Sequence, residues 1–289
     1  MQRAGLVLLL CACATDTAHY RIEPDERLVA GRKAWLAAPK EQPVDPINVV
    51  LLVADDLGLA DVSAYPGRGP HVSTPSIDAI AAQGVTFEAG YVTSPLCSPS
   101  RAALLTGRYQ QRFGHEGQPH ERYATNAVEY FFFDHFIASG DWQLHRRASP
   151  PREDVQRQGL PTSELTLAEL LKRQGYATGA FGKWHLGWNR DFQPLQRGFD
   201  EHYGFYEAYT LYADPEREDI VNQRHDDFSE RFIWSKARTG TAAIRRGDEV
   251  IDEPGYLTAR IADEAVAFIE RNAAGPFFLY VPFSAPHTP

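Results

Sequence analysis

Cys97 opens the segment of the sequence with the clearest capacity for chemistry, Cys-Ser-Pro-Ser-Arg. Ser98 is suited to cap a helix, Pro99 fits a first helical position, and Gly107 can end the helix. Free N–H groups at a helix N-terminus favour anions and lower the pKa of a nearby thiol. Arg101 comes four residues later and can turn its guanidinium toward the same anion. The segment therefore predicts an anion site that holds a reactive group.

Two neighbouring carboxylates, Asp55 and Asp56, indicate a cation site. They follow an apolar run, and both can converge on one ion at the point where a strand turns into a loop. Carboxylate oxygens suit calcium or magnesium better than zinc. A simple turn is the alternative for such a pair when it is taken by itself.

A lysine and two histidines extend this set. Lys183 and His185 are two positions apart, so they lie on the same side if the backbone stays extended. His287 follows another apolar run. Ligands of an open α/β sheet bind beyond the carboxyl ends of its strands, and all of these clusters follow predicted strands. Four polar clusters at one rim predict a shared site.

Strands and helices alternate along the chain, which predicts an α/β fold with a mainly parallel central sheet and helices on both faces. The continuously apolar run at 48–54 predicts a strand buried on both faces. Thr166 begins a capping box, and 256–272 carries the stripe of an amphipathic helix. The other predicted elements are a helix at 76–83, strands at 85–92, 176–181 and 277–283, and a hairpin near Arg246-Gly247-Asp248.

Two stretches, 126–161 and 214–254, fit the alternating pattern poorly. The first is aromatic and then rich in Arg and Pro, and the second is highly charged. We expect both at the surface, where they can contact a substrate. His115 lies outside both, and it either lines the pocket or is an ordinary exposed histidine.

The composition excludes several classes of protein. A chain with 43% apolar and 23% charged residues is typical of a globular protein of one large or two small domains. Its formal net charge of −9 makes nucleic acid and anionic membranes poor partners. Three cysteines are too few for a disulfide scaffold. Cys11 and Cys13 lie in an N-terminal apolar stretch, which leaves Cys97 alone in the body of the chain.

Residues 1–14 are similar to an export signal. Arg3 precedes an apolar run that is too short to span a bilayer but suits the core of a signal peptide. The sequence Leu-Cys-Ala-Cys resembles a bacterial lipobox, which would leave a lipid anchor at Cys13. Ala-Cys-Ala also fits ordinary signal cleavage. We expect an exported protein, periplasmic or at the outer surface, with a linker at 15–46 and a catalytic domain at 47–289.

The sequence resembles the sulfatase family, which comprises formylglycine-dependent, arylsulfatase-like enzymes of the alkaline phosphatase superfamily. The family signature Cys-x-Pro-x-Arg, followed by Leu-x-Thr-Gly-Arg, stands here at Cys97–Arg101 and Leu104–Arg108. Further family blocks follow in the family's order, so the resemblance extends from about residue 47 to the last residue. These blocks are Ala54–Gly58, Gly182–Gly187, Arg197–Asp200 and Ala285–Pro289.

The resemblance implies a hydrolase of sulfate esters. A dedicated maturation enzyme would oxidise Cys97 to formylglycine, and the hydrate of that aldehyde is the nucleophile. Arg101 and Lys183 would hold the hydrate and neutralise charge on the sulfuryl group. His287 would protonate the leaving oxygen, and His185 would be the base that allows sulfate to leave.

The resemblance also implies a calcium ion, held by Asp55, Asp56 and the hydrate at position 97. Family members have a further Asp-Asn metal pair and a second active-site lysine downstream of the 285–289 block. We therefore expect a sulfatase domain that is C-terminally incomplete. Residues 1–289 alone should turn over sulfate esters more slowly than a complete family member.

Three functions remain open at this point. The first is hydrolysis of sulfate esters of a small molecule or a polysaccharide. The second is hydrolysis of phosphodiesters or phosphonate esters with the same formylglycine. The third is a truncated, inactive sulfatase-like remnant that binds a sulfated glycan or nothing.

Overall fold

A computed structural model describes residues 25–39, 46–65, 72–119, 157–214, 217–221 and 228–287, together with residues 128, 131 and 135. The predicted export signal and most of the predicted surface stretch at 126–161 lie outside these residues. Within the described part of the chain, no helix is both long enough and apolar enough to cross a membrane.

The described elements alternate as the sequence predicts, with short 3₁₀ turns between some of them. The helices are α1 Glu26–Ala37, α2 Pro75–Gln83, α3 Cys97–Thr106, α4 Leu167–Arg173, α5 Phe228–Lys236 and α6 Leu257–Asn272. The strands are β1 Val49–Asp55, β2 Ala177–Lys183, β3 Glu201–Phe205, β4 Arg245–Arg246, β5 Glu249–Val250 and β6 Phe277–Pro286.

The strands form one sheet in the order β1-β6-β2-β3-β4-β5. The first four strands in this order are parallel, and β4 and β5 form an antiparallel hairpin at the far edge. Gly247 turns this hairpin with a φ of 62°, which confirms the predicted turn. The mainly parallel α/β sheet is therefore confirmed.

Strand β6 is central, and its side chains alternate between two cores. Phe278 and Tyr280 pack in a cluster with residues of α3 and α4. Leu279 and Val281 pack in a second cluster with residues of α6. Helices therefore cover both faces of the sheet at β6, as predicted. Because β6 lies between β1 and β2, its carboxyl end meets theirs at the rim.

Strand β1 differs from the prediction of a strand buried on both faces. It lies at the edge of the sheet, and only one of its faces packs against the core. Val50 and Leu52, on the other face, are 44% and 54% exposed. The prediction was wrong because an apolar run shows that a strand is hydrophobic without showing which of its faces finds a neighbour.

The predicted strand at 85–92 was also wrong, since these residues form no strand. Phe87 and Tyr91 are 75% and 90% exposed, so the weak alternation there does not reflect a buried face. The end of the first predicted surface stretch is instead buried, with Leu160 fully enclosed. The second stretch likewise contributes Ile244 to the core.

The region predicted as a linker at 15–46 contains helix α1. Asp25 caps it by accepting hydrogen bonds from the first backbone N–H groups. Arg32 forms an ion pair with Glu169 of α4, and the guanidinium of Arg173 lies 4.0 Å from the centre of the Trp35 ring. These side-chain contacts fix the helix to the body of the protein.

Two glycines allow the parallel strands to approach each other near the rim. Gly182 of β2 and Gly204 of β3 are register partners, with φ angles of 136° and 146°. A Cβ on Gly182 would overlap the carbonyl oxygen of Pro282, and one on Gly204 would overlap the carbonyl of Gly182. Only glycine fits both the backbone conformation and the space.

Candidate active site

Asp55, the last residue of β1, is the centre of a buried charged cluster. Its Oδ1 accepts a hydrogen bond from Arg101 Nη2 at 3.0 Å, and its Oδ2 accepts one from Lys183 Nζ at 2.5 Å. Burial alone raises the pKa of Asp55, but the adjacent charges of Arg101 and Lys183 outweigh burial and lower it. The carboxyl group is therefore ionised at neutral pH.

Arg101 joins three elements at the rim. It is one turn into α3, and its Nη1 donates to the backbone oxygen of Lys183 at 2.7 Å while Nη2 reaches Asp55. The guanidinium is buried, and its fork geometry spans the ends of β1 and β2. The side chain thus fixes α3 against both strands and leaves positive charge beside Cys97.

Cys97 is the first residue of α3, so the helix begins two positions earlier than the predicted start at Pro99. Leu96 stands at the cap position and makes no side-chain cap. Burial raises the pKa of the Cys97 thiol, but a hydrogen bond with His287 and the charge of Lys183 lower it to a net value below the ordinary one. Cys97 therefore lies at a helix N-terminus beside cationic side chains, the surroundings that the sequence predicts for an anion site.

His287 closes the site from the end of β6. Its backbone N–H donates to the Asp55 carbonyl at 3.0 Å, and its own carbonyl accepts from the Tyr212 hydroxyl at 2.5 Å. Its Nε2 lies 3.5 Å from Oδ2 of Asp56. The imidazole thus lies between Cys97 and an exposed carboxylate.

The structure shows which ligand atoms lie close enough together to hold the cation that the paired aspartates predict. One ligand atom each from Asp55, Cys97 and His287 lies within 4.8 Å of the others, and Asp56 adjoins this group through His287. The two carboxylates supply the oxygen donors that calcium prefers. A thiol sulfur does not suit calcium, whereas an oxygen at position 97 would. The converging atoms of Asp55, Cys97 and His287 are therefore a candidate site for a divalent metal.

His185 is not part of this group of three ligands. Its backbone is in the left-handed region, with a φ of 54°, so the extended geometry on which the prediction depended does not hold. Its Nε2 lies 3.2 Å from the carbonyl oxygen of Pro119. Because a carbonyl can only accept, Nε2 carries the hydrogen in the neutral ring, and Nδ1 is then the basic nitrogen.

An open cavity of about 430 Å³ leads to the charged cluster. Asp55, Asp56, Cys97 and Arg101 form its polar side, and residues 91–96 form much of the rest. The mixed lining can admit a molecule with an anionic group at one end and a less polar body at the other.

The structure also shows site residues that the sequence did not single out. Tyr212 fixes the His287 backbone, and the Tyr209 ring lies 5.7 Å from the His287 ring. His115, for which exposure was one prediction, is buried and contacts Ser98. Tyrosines within a run of mixed polarity carry no spacing signal, so only the three-dimensional structure identifies them.

Comparison with known proteins decides the family. The sulfatase family model matches residues 47–289, which include every residue of this site. The chain belongs to the sulfatase family. It is 37% identical to human N-acetylgalactosamine-6-sulfatase over 249 residues, which are 84% of this chain and 40% of that protein. Mouse steryl-sulfatase is 31% identical over 303 residues, covering 87% of this chain and 44% of that sulfatase.

Solved structures share this fold. The crystal structure of Ps i-CgsB superimposes with a TM-score of 0.57 at 30% identity, over 85% of this chain and 46% of that one. A second structure of Ps i-CgsB, in complex with k-i-k-neocarrahexaose, superimposes with the same TM-score at 29% identity. The chain spans about two fifths of the length of the curated relatives it matches.

Proposed function

We propose that this sulfatase-family chain hydrolyses sulfate esters through a formylglycine nucleophile made from Cys97. The observation that carries the proposal is the convergence of the signature cysteine with two cations and a histidine. Arg101 and Lys183 both contact Asp55, and Cys97 contacts His287. An anionic ester that enters the cavity meets Cys97 and the positive charge of Arg101 in its lining.

A formylglycine hydrate at position 97 would supply the attacking hydroxyl, and a calcium ion held by Asp55 and Asp56 would supply further positive charge. Arg101 and Lys183 are buried and already oriented, so they stabilise negative charge on a sulfuryl group without reorganisation. Their positions are fixed before substrate binds because both are hydrogen-bonded to Asp55.

His287 is the proposed proton donor to the leaving alcohol. Oδ2 of Asp56 lies 3.5 Å from its Nε2. Tyr212 holds the backbone of the same residue. His185 is the proposed base, with Nδ1 as the accepting atom because Nε2 faces a carbonyl oxygen.

The proposed substrates are sulfated small molecules or sulfated polysaccharides. Two findings support this class: a relative is named N-acetylgalactosamine-6-sulfatase, and Ps i-CgsB has been solved with a carrahexaose. A formylglycine-generating enzyme is the proposed maturation partner. Export to the periplasm or outer surface, with or without a lipid at Cys13, suits polymeric substrates that do not enter the cell.

The test uses the chain expressed with and without a formylglycine-generating enzyme. Peptide mass spectrometry should show conversion of Cys97 only in the first case. The converted protein, with calcium, should hydrolyse an aryl sulfate faster than the phosphate ester of the same phenol. Turnover is measured against Cys97→Ala, so that even a slow rate can be assigned to position 97.

Two outcomes would contradict the proposal. Faster hydrolysis of the phosphate ester would assign the chain to the phosphodiester or phosphonate branch of the superfamily. Full conversion of Cys97 with no turnover above the Cys97→Ala background would show that this chain is an inactive sulfatase-like remnant.

A further inference from the structure

A buried hydrogen-bonded pair lies directly behind the proposed nucleophile. Ser98, the residue after Cys97, is fully buried, and its Oγ is 2.8 Å from Nε2 of His115. The His115 ring is also buried, and its Nδ1 is 3.1 Å from the carbonyl oxygen of Gly159. Neither side chain has a role in the proposed chemistry.

The directions of these hydrogen bonds follow from the partners. The Gly159 carbonyl can only accept, so Nδ1 of His115 carries a hydrogen. Burial lowers the pKa of His115 to about 4, so the ring is neutral and Nε2 is an acceptor. The Ser98 hydroxyl must therefore donate to His115. The pair has one arrangement in which every polar atom is satisfied.

The chain of contacts continues to the other side of the site. Gly159 precedes Leu160, whose N–H donates to the Leu186 carbonyl at 2.8 Å and whose carbonyl accepts from Arg197 Nη1 at 2.6 Å. Leu186 follows His185, the proposed base. A continuous path of buried hydrogen bonds thus joins the first turn of α3 to the segment after β2.

The first turn of α3 depends on this path for its side-chain support. Leu96 provides no side-chain cap, and Arg101 anchors the helix only one turn further on. Ser98 is the anchor nearest to Cys97. Without it, residue 97 could move relative to His287 and Lys183 while Arg101 remained in place.

We propose that Ser98 and His115 are positioning residues that set the side chain at position 97 against the rest of the site. They act through residue 97 and touch no substrate. The inference concerns the residue on which the proposed function depends, but the thiol of the unconverted chain reports its position independently of turnover, so the two proposals can fail separately.

The experiment measures the rate of alkylation of Cys97 by iodoacetamide at one fixed pH, in chain made without the maturation enzyme. Peptide mapping separates Cys97 from Cys11 and Cys13. Ser98→Ala and His115→Gln should each slow alkylation by roughly fivefold or more, since the thiol leaves the charges that favour its reactive thiolate. The double variant should be no slower than the single variants, because both remove the same hydrogen bond.

A matched control is available in His202. This histidine is also buried, its pKa is also lowered to about 4 by burial, and its Nδ1 is 3.3 Å from the carbonyl oxygen of Gly247. His202→Gln therefore imposes a similar loss of a buried imidazole without touching α3. Its Cys97 alkylation rate should stay within about twofold of wild type, as expected for an independent site.

Gly159→Ala tests the path from its opposite end. A Cβ there would overlap Phe192 and displace the carbonyl that receives the His115 hydrogen bond. This variant should slow alkylation in the same direction while leaving Ser98 and His115 unchanged. If Ser98→Ala or His115→Gln leaves the rate unchanged or raises it, or if His202→Gln slows it equally, the positioning role is overturned.

Discussion

Two adjacent aspartates at the end of β1 have opposite environments. Asp55 is buried, completes the strand and is bonded to two cations. Asp56 adopts a φ of 61°, and its side chain is 65% exposed, with His287 as its ionic neighbour. The backbone changes direction between the two residues. Asp55 therefore lies on a closed, buried side of the site, and Asp56 lies on an open, exposed side.

The contrast separates two uses of a carboxylate. On the closed side, Asp55 compensates the desolvation of Arg101 and Lys183, so it holds the rim together whether or not a ligand is bound. On the open side, the carboxylate of Asp56 is exposed to solvent and accessible to a dication. The paired aspartates of the sequence are therefore expected to be unequal in stability and in ligand binding.

The largest expected effect comes from comparing Asp55→Asn with Asp56→Asn. Removing the Asp55 charge leaves two buried cations unpaired and should lower the free energy of unfolding by about 3–5 kcal/mol. The same change at Asp56 should cost no more than about 0.5 kcal/mol, as is usual at the surface. Urea denaturation followed by tryptophan fluorescence, with a calcium chelator present, measures both. Equal losses would show that the two sides do not differ.

Low pH should reduce the difference in unfolding free energy between wild type and Asp55→Asn. Because the pKa of Asp55 is lowered in the folded protein, its charge stabilises the fold fully above its ordinary pKa of 3.8. That contribution is lost as the pH falls through the lowered value. The gap in unfolding free energy between wild type and Asp55→Asn should stay constant from neutral pH to about pH 4 and then shrink. A gap that narrows between pH 7 and pH 5 would contradict the lowered pKa.

Calcium should act mainly through the open side. At about 100 times its dissociation constant, a ligand of the folded state adds about 2.7 kcal/mol to stability. We expect a gain of this order in wild type and most of it to be lost in Asp56→Asn. Thermal melting with and without calcium measures it, with sodium chloride of equal ionic strength as the control. A full calcium effect in Asp56→Asn would place the ion elsewhere.

The smallest expected effect concerns Tyr212. Burial raises its pKa to about 12, so the hydroxyl keeps its proton and donates to the His287 carbonyl. Tyr212→Phe removes this hydrogen bond and should cost about 1 kcal/mol. Tyr256→Phe is the matched control, since Tyr256 stacks on Tyr212 through its ring, which phenylalanine retains. Losses of the same size in both variants would show that the hydroxyl of Tyr212 is not what matters.

The sequence predicted the parts of the molecule that depend on local chemistry. The capping box at Thr166 and Glu169, the helix that ends at Gly107 and the hairpin at Gly247 all appear where expected. The convergence of polar clusters was predictable too, since the carboxyl ends of parallel strands must meet at one rim. In each case the residues themselves determine the geometry.

The wrong predictions concern segments whose structure depends on contacts with residues distant in the sequence. Nothing in the run at 48–54 shows that β1 lies at an edge, and nothing near Phe87 and Tyr91 shows that these aromatic residues stay largely exposed. The predicted linker became α1 because Arg32 and Trp35 find partners more than a hundred residues away. Ser98 was predicted as a cap, but its hydroxyl is taken by His115.

The paired glycines of β2 and β3 constrain how this lineage can diverge. Gly182 and Gly204 are register partners in two strands that lead to the site, and backbone fills the space that a side chain at either position would need. The Pro282 carbonyl obstructs Gly182, and the Gly182 carbonyl obstructs Gly204. A substitution at either position cannot be rescued by a second one at its partner, because the obstruction is backbone. Both positions therefore stay glycine in any functional variant of this fold, and tolerated substitutions are expected in the segments that connect the strands.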